Sequence, residues 1–161
     1  MDSDVELNRT AWEAASEKHI RDYQDLLQLA RDQSSLIECE LDLLRPLLRS
    51  SPAVVHLQSG HGLDDIAPVA AGAHSVVGVD FSEVVATAAQ RRAEELAVAC
   101  RYVVAEVPGA PLRSECADLV YTGKGALIWM QDLTAWATDV GRLLRPGGHL
   151  FVCEAHPAVP L

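Results

Sequence analysis

The sequence predicts an open, doubly wound α/β fold, in which helices cover both faces of a parallel sheet. From Ala53 onward, short runs rich in β-branched residues alternate with helical stretches, and the connections between them are short. Right-handed crossovers turn such an alternation into an open sheet. The length of 161 residues indicates one domain, large enough to bury its core without disulfides or a metal.

The first fifty residues are predicted to be helical. Apolar residues recur at helical spacing from Val5 to Ala30, which predicts one helix, and Leu36 to Leu48 predicts a second. Ser34-Ser35 offers this second helix an N-cap, and Pro46 lies in its last turn. Two helices are therefore expected before the first strand.

The sheet region is predicted to contain five strands and three helices. The strands are expected at Ala53 to Gln58, Ser75 to Asp80, Arg101 to Ala105, Ala117 to Tyr121 and His149 to Glu154. The helices are expected at Leu63 to Ala71, from the cap Ser82 to about Leu96, and at Leu133 to Leu144.

Composition excludes several classes of protein. The net charge of −10 argues against a nucleic-acid or anionic-membrane surface but permits a small cationic ligand. No apolar run approaches the ~18 residues of a membrane span, and the acidic start does not read as a signal peptide. The four cysteines form no CxxC pair, so neither a metal site nor a disulfide framework is indicated. We therefore expect a reduced, cytoplasmic domain.

Candidate binding residues follow the strands, because ligands of such sheets bind at the carboxyl ends of the strands. Gly60 and Gly62 follow strand 1 and indicate either a ligand loop or only a tight turn. Asp80 ends strand 2, twenty residues after Gly60, where a carboxylate holds a ribose diol. The alternative role, helix capping, is already available to Ser82. The sequence therefore favours ribose binding by Asp80.

Two further groups face the same crevice. Glu106 ends strand 3 and is placed to accept from an adenine amino group, unless it is simply a solvated loop acid. A second glycine turn, Tyr121 to Gly125, follows strand 4. Dinucleotides and S-adenosylmethionine both use this arrangement. Asp64 and Asp65 stand at the start of the next helix, where a pyrophosphate would bind, so the sulfonium cation of S-adenosylmethionine fits better.

Five stretches of the sequence together resemble the class I S-adenosylmethionine-dependent methyltransferase family. They are VVHLQSGHG (54–62), VVGVDFS (76–82), YVVAEV (102–107), ADLVYTGKGAL (117–127) and LLRPGGHLFVCE (143–154). The segment at 8–23 resembles the amino-terminal helix of a bacterial small-molecule subgroup. The resemblance implies a Rossmann-like sheet of order 3-2-1-4-5 over residues 52–161. Residues 1–51 would be a helical lid of the same domain.

The resemblance also implies which residues bind S-adenosyl-L-methionine. The loop from Gln58 to Gly62 would surround the methionine part, and Asp80 would bind the ribose. The adenine would lie beside Phe81, and the turn after strand 4 would line the methyl-transfer crevice. The full set of implied cofactor-binding residues is Gln58, Ser59, Gly60, Gly62, Asp80, Phe81, Ser82, Glu106, Val107, Tyr121, Thr122 and Gly123. No catalytic base is assigned among His19, His61 and His156.

Two departures from the family pattern keep other functions open. His56 and Gln58 replace the usual acid and glycine of strand 1, and the sheet of the family normally continues past strand 5. We expect a methyltransferase acting on a small molecule. The alternatives are a related domain without methyltransferase activity, or a nucleotide-dependent oxidoreductase. The unpaired edge of strand 5 is expected either to pair with a second copy or to belong to a longer parent.

Overall fold

The computed structural model describes residues 2–32 and 35–154. Its centre is a five-stranded parallel sheet in the order β3-β2-β1-β4-β5, which confirms the predicted order. The strands are β1 Ala53–Leu57, β2 Ser75–Asp80, β3 Cys100–Val104, β4 Ala117–Gly123 and β5 Leu144–Cys153. The order reverses between β1 and β4, so the ligand crevice of this fold class lies at the carboxyl ends of those two strands.

Six α-helices are assigned along the described chain. They are α1 Asp2–Arg21, α2 Tyr23–Asp32, α3 Glu38–Leu48, α4 Leu63–Ala70, α5 Glu83–Glu95 and α6 Leu133–Leu143, and a short 3-10 helix spans Leu127–Trp129. Leu44 of α3, Ala67 of α4 and Ala93 of α5 pack in one apolar core. Trp136 and Val140 of α6 pack in another, on the opposite face of the sheet. The sheet is thus covered from both sides, as predicted.

The amino-terminal region differs from the prediction. The single helix expected from Val5 to Ala30 is two helices, α1 and α2, separated at Asp22. Helix α1 packs along α5, and α2 begins on α5 through Tyr23 but then packs against α4. The break at Asp22 turns the chain from the one helix toward the other.

The start of α3 and the start of β5 also differ. Ser34 lies outside the described residues, and Ser35 donates its hydroxyl to Asp64 instead of capping α3. Helix α3 begins after Ile37, whose backbone N–H donates to the Glu40 carboxylate at 3.0 Å. Strand β5 begins at Leu144 and is irregular before His149, because the glycine-containing turn interrupts its pairing with β4.

Helix α5 begins where the sequence predicts. The Ser82 hydroxyl accepts from the Val85 backbone N–H at 3.4 Å, so Ser82 is the N-cap. None of the described helices is both long and apolar enough to cross a membrane. In the same residues, no cluster of His, Cys, Asp or Glu side chains has the make-up of a metal site.

Candidate functional site

The loop after β1 has a backbone that few residues adopt. Gly60 and Gly62 have φ values of +53° and +67°, and Gln58 between strand and loop has +58°. A Cβ on Gly62 would overlap the Tyr102 hydroxyl, so this position requires glycine on two grounds. The Gly62 N–H donates to the Ser59 carbonyl at 3.1 Å, which closes the loop tightly above β1. The two glycines therefore form a tight turn, and a tight turn here is compatible with ligand binding.

Asp80 lies at the centre of the crevice. Its carboxylate is buried and accepts from the backbone N–H groups of Gly60 and Ser82, each at 3.0 Å. Burial raises the pKa of Asp80, while the two N–H groups and the nearby His56 work in the opposite direction. The carboxylate oxygens retain lone pairs for further donors, because each accepts one backbone N–H. Asp80 is thereby held rigidly next to the glycine loop.

His56 and Asp65 form a buried pair beneath the loop. His56 Nδ1 lies 2.6 Å from Asp65 Oδ1, and both side chains are almost fully buried. The His56 ring also packs against Tyr121 at 4.4 Å between centroids. Thus His56 occupies the position in β1 where the resembling family has an acid, and it pairs with Asp65 of α4.

Asp64 has an internal partner as well. Lys124 Nζ, in the turn after β4, lies 2.6 Å from Asp64 Oδ1. Because Lys124 pairs with Asp64 and His56 contacts Asp65, these two carboxylates are less free to repel an anion at the start of α4 than the sequence indicates. The electrostatic argument against a pyrophosphate is correspondingly weaker.

The ends of β1 and β4 carry buried polar atoms without protein partners. They are Gln58 Oε1, Ser59 Oγ and Thr122 Oγ1. The nitrogen of the Gln58 side-chain amide does have a partner: Nε2 donates to the Ala126 carbonyl at 2.8 Å. This hydrogen bond joins the loop after β1 to the loop after β4. Buried polar groups need partners, so these atoms fit a polar ligand in the crevice.

Some implied site residues turn their side chains elsewhere. The Tyr121 ring is buried in the core, where its hydroxyl donates to Glu40 at 3.1 Å and burial raises its pKa. Ser82 is fully buried as the cap of α5, and Val107 packs with the core around α6. Gly123 ends β4 beside Tyr121. The structure therefore brings Asp80 and the loop after β1 together, while Tyr121 does not project its ring into the crevice.

The adenine side of the predicted site is covered by α1. Arg9 Nη2 donates to Glu106 Oε1 at 3.0 Å, and its guanidinium lies 5.8 Å from the centre of the Phe81 ring. Trp12, one turn further along, lies against Gly60, and its ring packs on His61 in a tilted arrangement with 5.7 Å between the ring centroids. The Trp12 side chain also lies near Asp80, where it favours the carboxylate and so lowers the pKa of that group.

Arg9 was not singled out from the sequence, although it contacts Glu106 and Phe81. Among the tryptophans, Trp136 packs in the core, Trp129 is exposed, and Trp12 lies against Gly60 and His61. Helical spacing places Arg9 and Trp12 on one face of α1. No local pattern indicates that this face covers the strand ends. The side chains of His19 and His156 lie outside the described residues.

A family model described as a methyltransferase domain matches residues 54–148, which is more than half of the chain. The match begins in β1 and ends in the glycine turn that precedes the regular part of β5. A comparison with curated protein sequences gave no match.

Three solved structures illustrate the likeness in fold. A proposed S-adenosyl-L-methionine-dependent methyltransferase from Methanococcus maripaludis has a TM-score of 0.65 at 16% identity, over 83% of this chain and 63% of its own. Geranyl diphosphate C-methyltransferase from Streptomyces coelicolor A3(2) has 0.59 at 19%, over 69% and 44%. The [4+2]-cyclase SpnF has 0.63 at 16%, over 86% and 58%. The chain thus spans less than two thirds of the length of each.

Proposed function

Because this chain belongs to the methyltransferase domain family, we propose that it binds S-adenosyl-L-methionine at the strand ends and methylates a small molecule. The observation that carries this proposal is the position of Asp80. Its buried carboxylate is fixed by the N–H groups of Gly60 and Ser82 and adjoins the loop after β1. A carboxylate so placed suits a ribose diol.

The remaining groups of the crevice fit the rest of this cofactor. Gln58 Oε1 is a buried acceptor without a partner, and it suits the ammonium of the methionine part. Glu106 and Phe81 lie together on the other side of Asp80, where an acceptor and an aromatic ring suit the adenine. These residues would bind and orient the cofactor along the carboxyl edge of the sheet.

The bound cofactor supplies a methyl group that the sulfonium already activates for in-line displacement. The work of the chain is then positioning and exclusion of water. Asp80 and the loop after β1 would fix the cofactor for this step. A general base is required only for acceptors that must lose a proton, and none is assigned here. The name of the structural neighbour geranyl diphosphate C-methyltransferase gives a small organic molecule as substrate, which supports an acceptor of that size.

Isothermal titration calorimetry with S-adenosyl-L-methionine, S-adenosyl-L-homocysteine and NAD tests the proposal. We expect saturable binding of the first two and none of NAD. Mass spectrometry of reactions with a panel of small hydroxyl, amine and carbon acceptors then tests transfer. Binding of NAD alone would contradict the cofactor assignment and favour the oxidoreductase alternative.

A second candidate is a domain that binds the cofactor without transferring its methyl group. Two observations favour it: His56, paired with Asp65 of α4, stands in β1 where the family usually has an acid, and the similarity to the [4+2]-cyclase covers 86% of the chain. Binding of S-adenosyl-L-homocysteine without methylation of any acceptor in the panel would support this candidate over the first.

The cellular setting and assembly belong to the same proposal. Cys39, Cys100, Cys116 and Cys153 are free thiols, which suits a reducing compartment, and we place the protein in the cytoplasm. The partner that we expect besides the acceptor is a second copy paired along β5. No nucleic acid or membrane partner is proposed for so acidic a chain.

A further inference from the structure

Arg9 occupies the position that the proposed function gives to the adenine. Its guanidinium is a planar group with N–H donors at its edge, and it donates to Glu106 Oε1 at 3.0 Å. The same group lies over the Phe81 ring at 5.8 Å. An adenine bound here would use the same two partners: its amino edge would donate to Glu106, and its plane would face Phe81. The two groups therefore cannot both have these contacts.

The next turn of α1 also lies over the proposed cofactor site. Trp12 lies against Gly60 and His61, so the turn of helix from Arg9 to Trp12 spans the adenosine half of the site. Two surface cavities lie at the other end of the sheet. One is lined by Ser75 and Arg101 and the other by Pro52, all near the amino ends of the strands. At the carboxyl ends, Arg9 and Trp12 contact Glu106, Phe81 and Gly60.

We infer that α1 is an autoinhibitory strap in which Arg9 imitates the adenine and competes with the cofactor for Glu106 and Phe81. This inference rests on the proposed function, because it requires the adenine to bind there. The strap is weakly held. The Arg9 and Glu106 side chains are 33% and 59% exposed, and ion pairs this exposed are weak and screened by salt. A ligand of ordinary affinity can therefore displace it.

The test compares binding of S-adenosyl-L-homocysteine to three variants of the full chain by calorimetry. Arg9→Gln removes the charge and the cation–π contact, and we expect affinity to rise about threefold to tenfold. Arg9→Lys keeps the charge without the planar group, and we expect an intermediate gain. Arg21→Gln is the matched control, because Arg21 is the last residue of the same helix and its ion-pair partner is Glu17, at 4.0 Å. Its affinity should equal that of the wild type.

Salt and hydrogen exchange give two further readouts. High salt should tighten binding to the wild type, because it screens the Arg9–Glu106 pair, and should leave Arg9→Gln unchanged. Addition of S-adenosyl-L-homocysteine should increase amide exchange in α1, because the strap is released.

The outcomes separate this inference from the proposed function. If the wild type binds and Arg9→Gln binds equally or more weakly, Arg9 does not compete, and the inference alone is overturned. Increased protection of α1 on binding would likewise show a helix that closes on the ligand. If neither the wild type nor Arg9→Gln binds at any salt concentration, the proposed function fails and the inference falls with it.

Discussion

At the residue scale, Asp80 is the residue on which the proposed cofactor binding depends most directly. Asp80→Ala would remove the two charge-assisted hydrogen bonds proposed to the ribose and should weaken binding of S-adenosyl-L-homocysteine by about 2–4 kcal/mol. Calorimetry measures this loss. The control is Asp118→Ala. Asp118 also accepts a hydrogen bond from a backbone N–H, that of Ala53, but it lies at the amino ends of the strands, away from the proposed site. Unchanged affinity in a folded Asp80→Ala protein contradicts the assignment.

The pH dependence of binding follows from the same residue. Burial raises the pKa of Asp80 above its ordinary value of 3.8, so the carboxyl takes up its proton at a higher pH than an exposed aspartate. The carboxylate form accepts both ribose hydroxyls. Affinity should therefore be constant near neutrality and fall as the pH drops through this raised pKa. Asp80→Asn should bind weakly at every pH. If this variant shows the same loss of affinity at low pH as the wild type, the loss is due to another group.

Glu106 is expected to determine selectivity for the adenine amino group. The wild type should prefer S-adenosyl-L-homocysteine to its inosine analogue, which has a carbonyl in place of the amino group. Glu106→Gln should lose much of this preference, because an amide can either accept from an amino group or donate to a carbonyl. Competitive binding measurements give the ratio of affinities. An unchanged ratio would show that Glu106 does not contact this edge of the base.

At the scale of the elements, the turn from β1 into α4 depends on Gly62. Gly62→Ala places a side chain at φ +67° and against the Tyr102 hydroxyl, so we expect a loss of about 1–3 kcal/mol in the free energy of unfolding. Urea denaturation measures the change. Gly147→Ala is the control with φ +82° and no atom within 4 Å, and it should lose less. Equal losses would mean that the Tyr102 contact relaxes without cost.

The buried pair between β1 and α4 is a second test at this scale. His56→Leu leaves the Asp65 carboxylate buried without its partner, and we expect a loss of about 3–5 kcal/mol in the free energy of unfolding. The double variant His56→Leu/Asp65→Leu should recover much of that loss, because no unpaired charge remains. Denaturant titrations of the four proteins complete the cycle. Additive losses would show that the two side chains do not stabilise each other.

At the scale of the whole molecule, the β5 edge of the sheet carries exposed apolar side chains. Leu150 and Val152 of β5 are 44% and 40% exposed, and β5 pairs only with β4 among the described strands. An apolar, unpaired edge favours pairing with a second copy. Sedimentation velocity should therefore show association that increases with concentration, and Val152→Lys should reduce it. A monomer at all concentrations contradicts this expectation.

The sequence by itself determined the architecture and the position of the central candidate residue. The alternation of β-branched and helical stretches predicted the five strands of the parallel sheet, with a later start for β5 than the structure has, and the spacing from Gly60 to Asp80 predicted the carboxylate beside the glycine loop. These features depend on local periodicity and on residues that directly follow a strand. Parallel strands bring their carboxyl ends to one edge, so the sequence order already indicates which residues meet there.

Only the tertiary structure decided what covers and supports that site. Arg9 meets Glu106 across 97 residues of sequence, and His56 meets Asp65 beneath the loop. Both contacts depend on how a helix is placed and rotated against the sheet. Helical spacing defines the faces of α1 but not the surface on which a face packs, because that choice is made by long-range contacts with α5. The division of the first helix at Asp22 has the same origin.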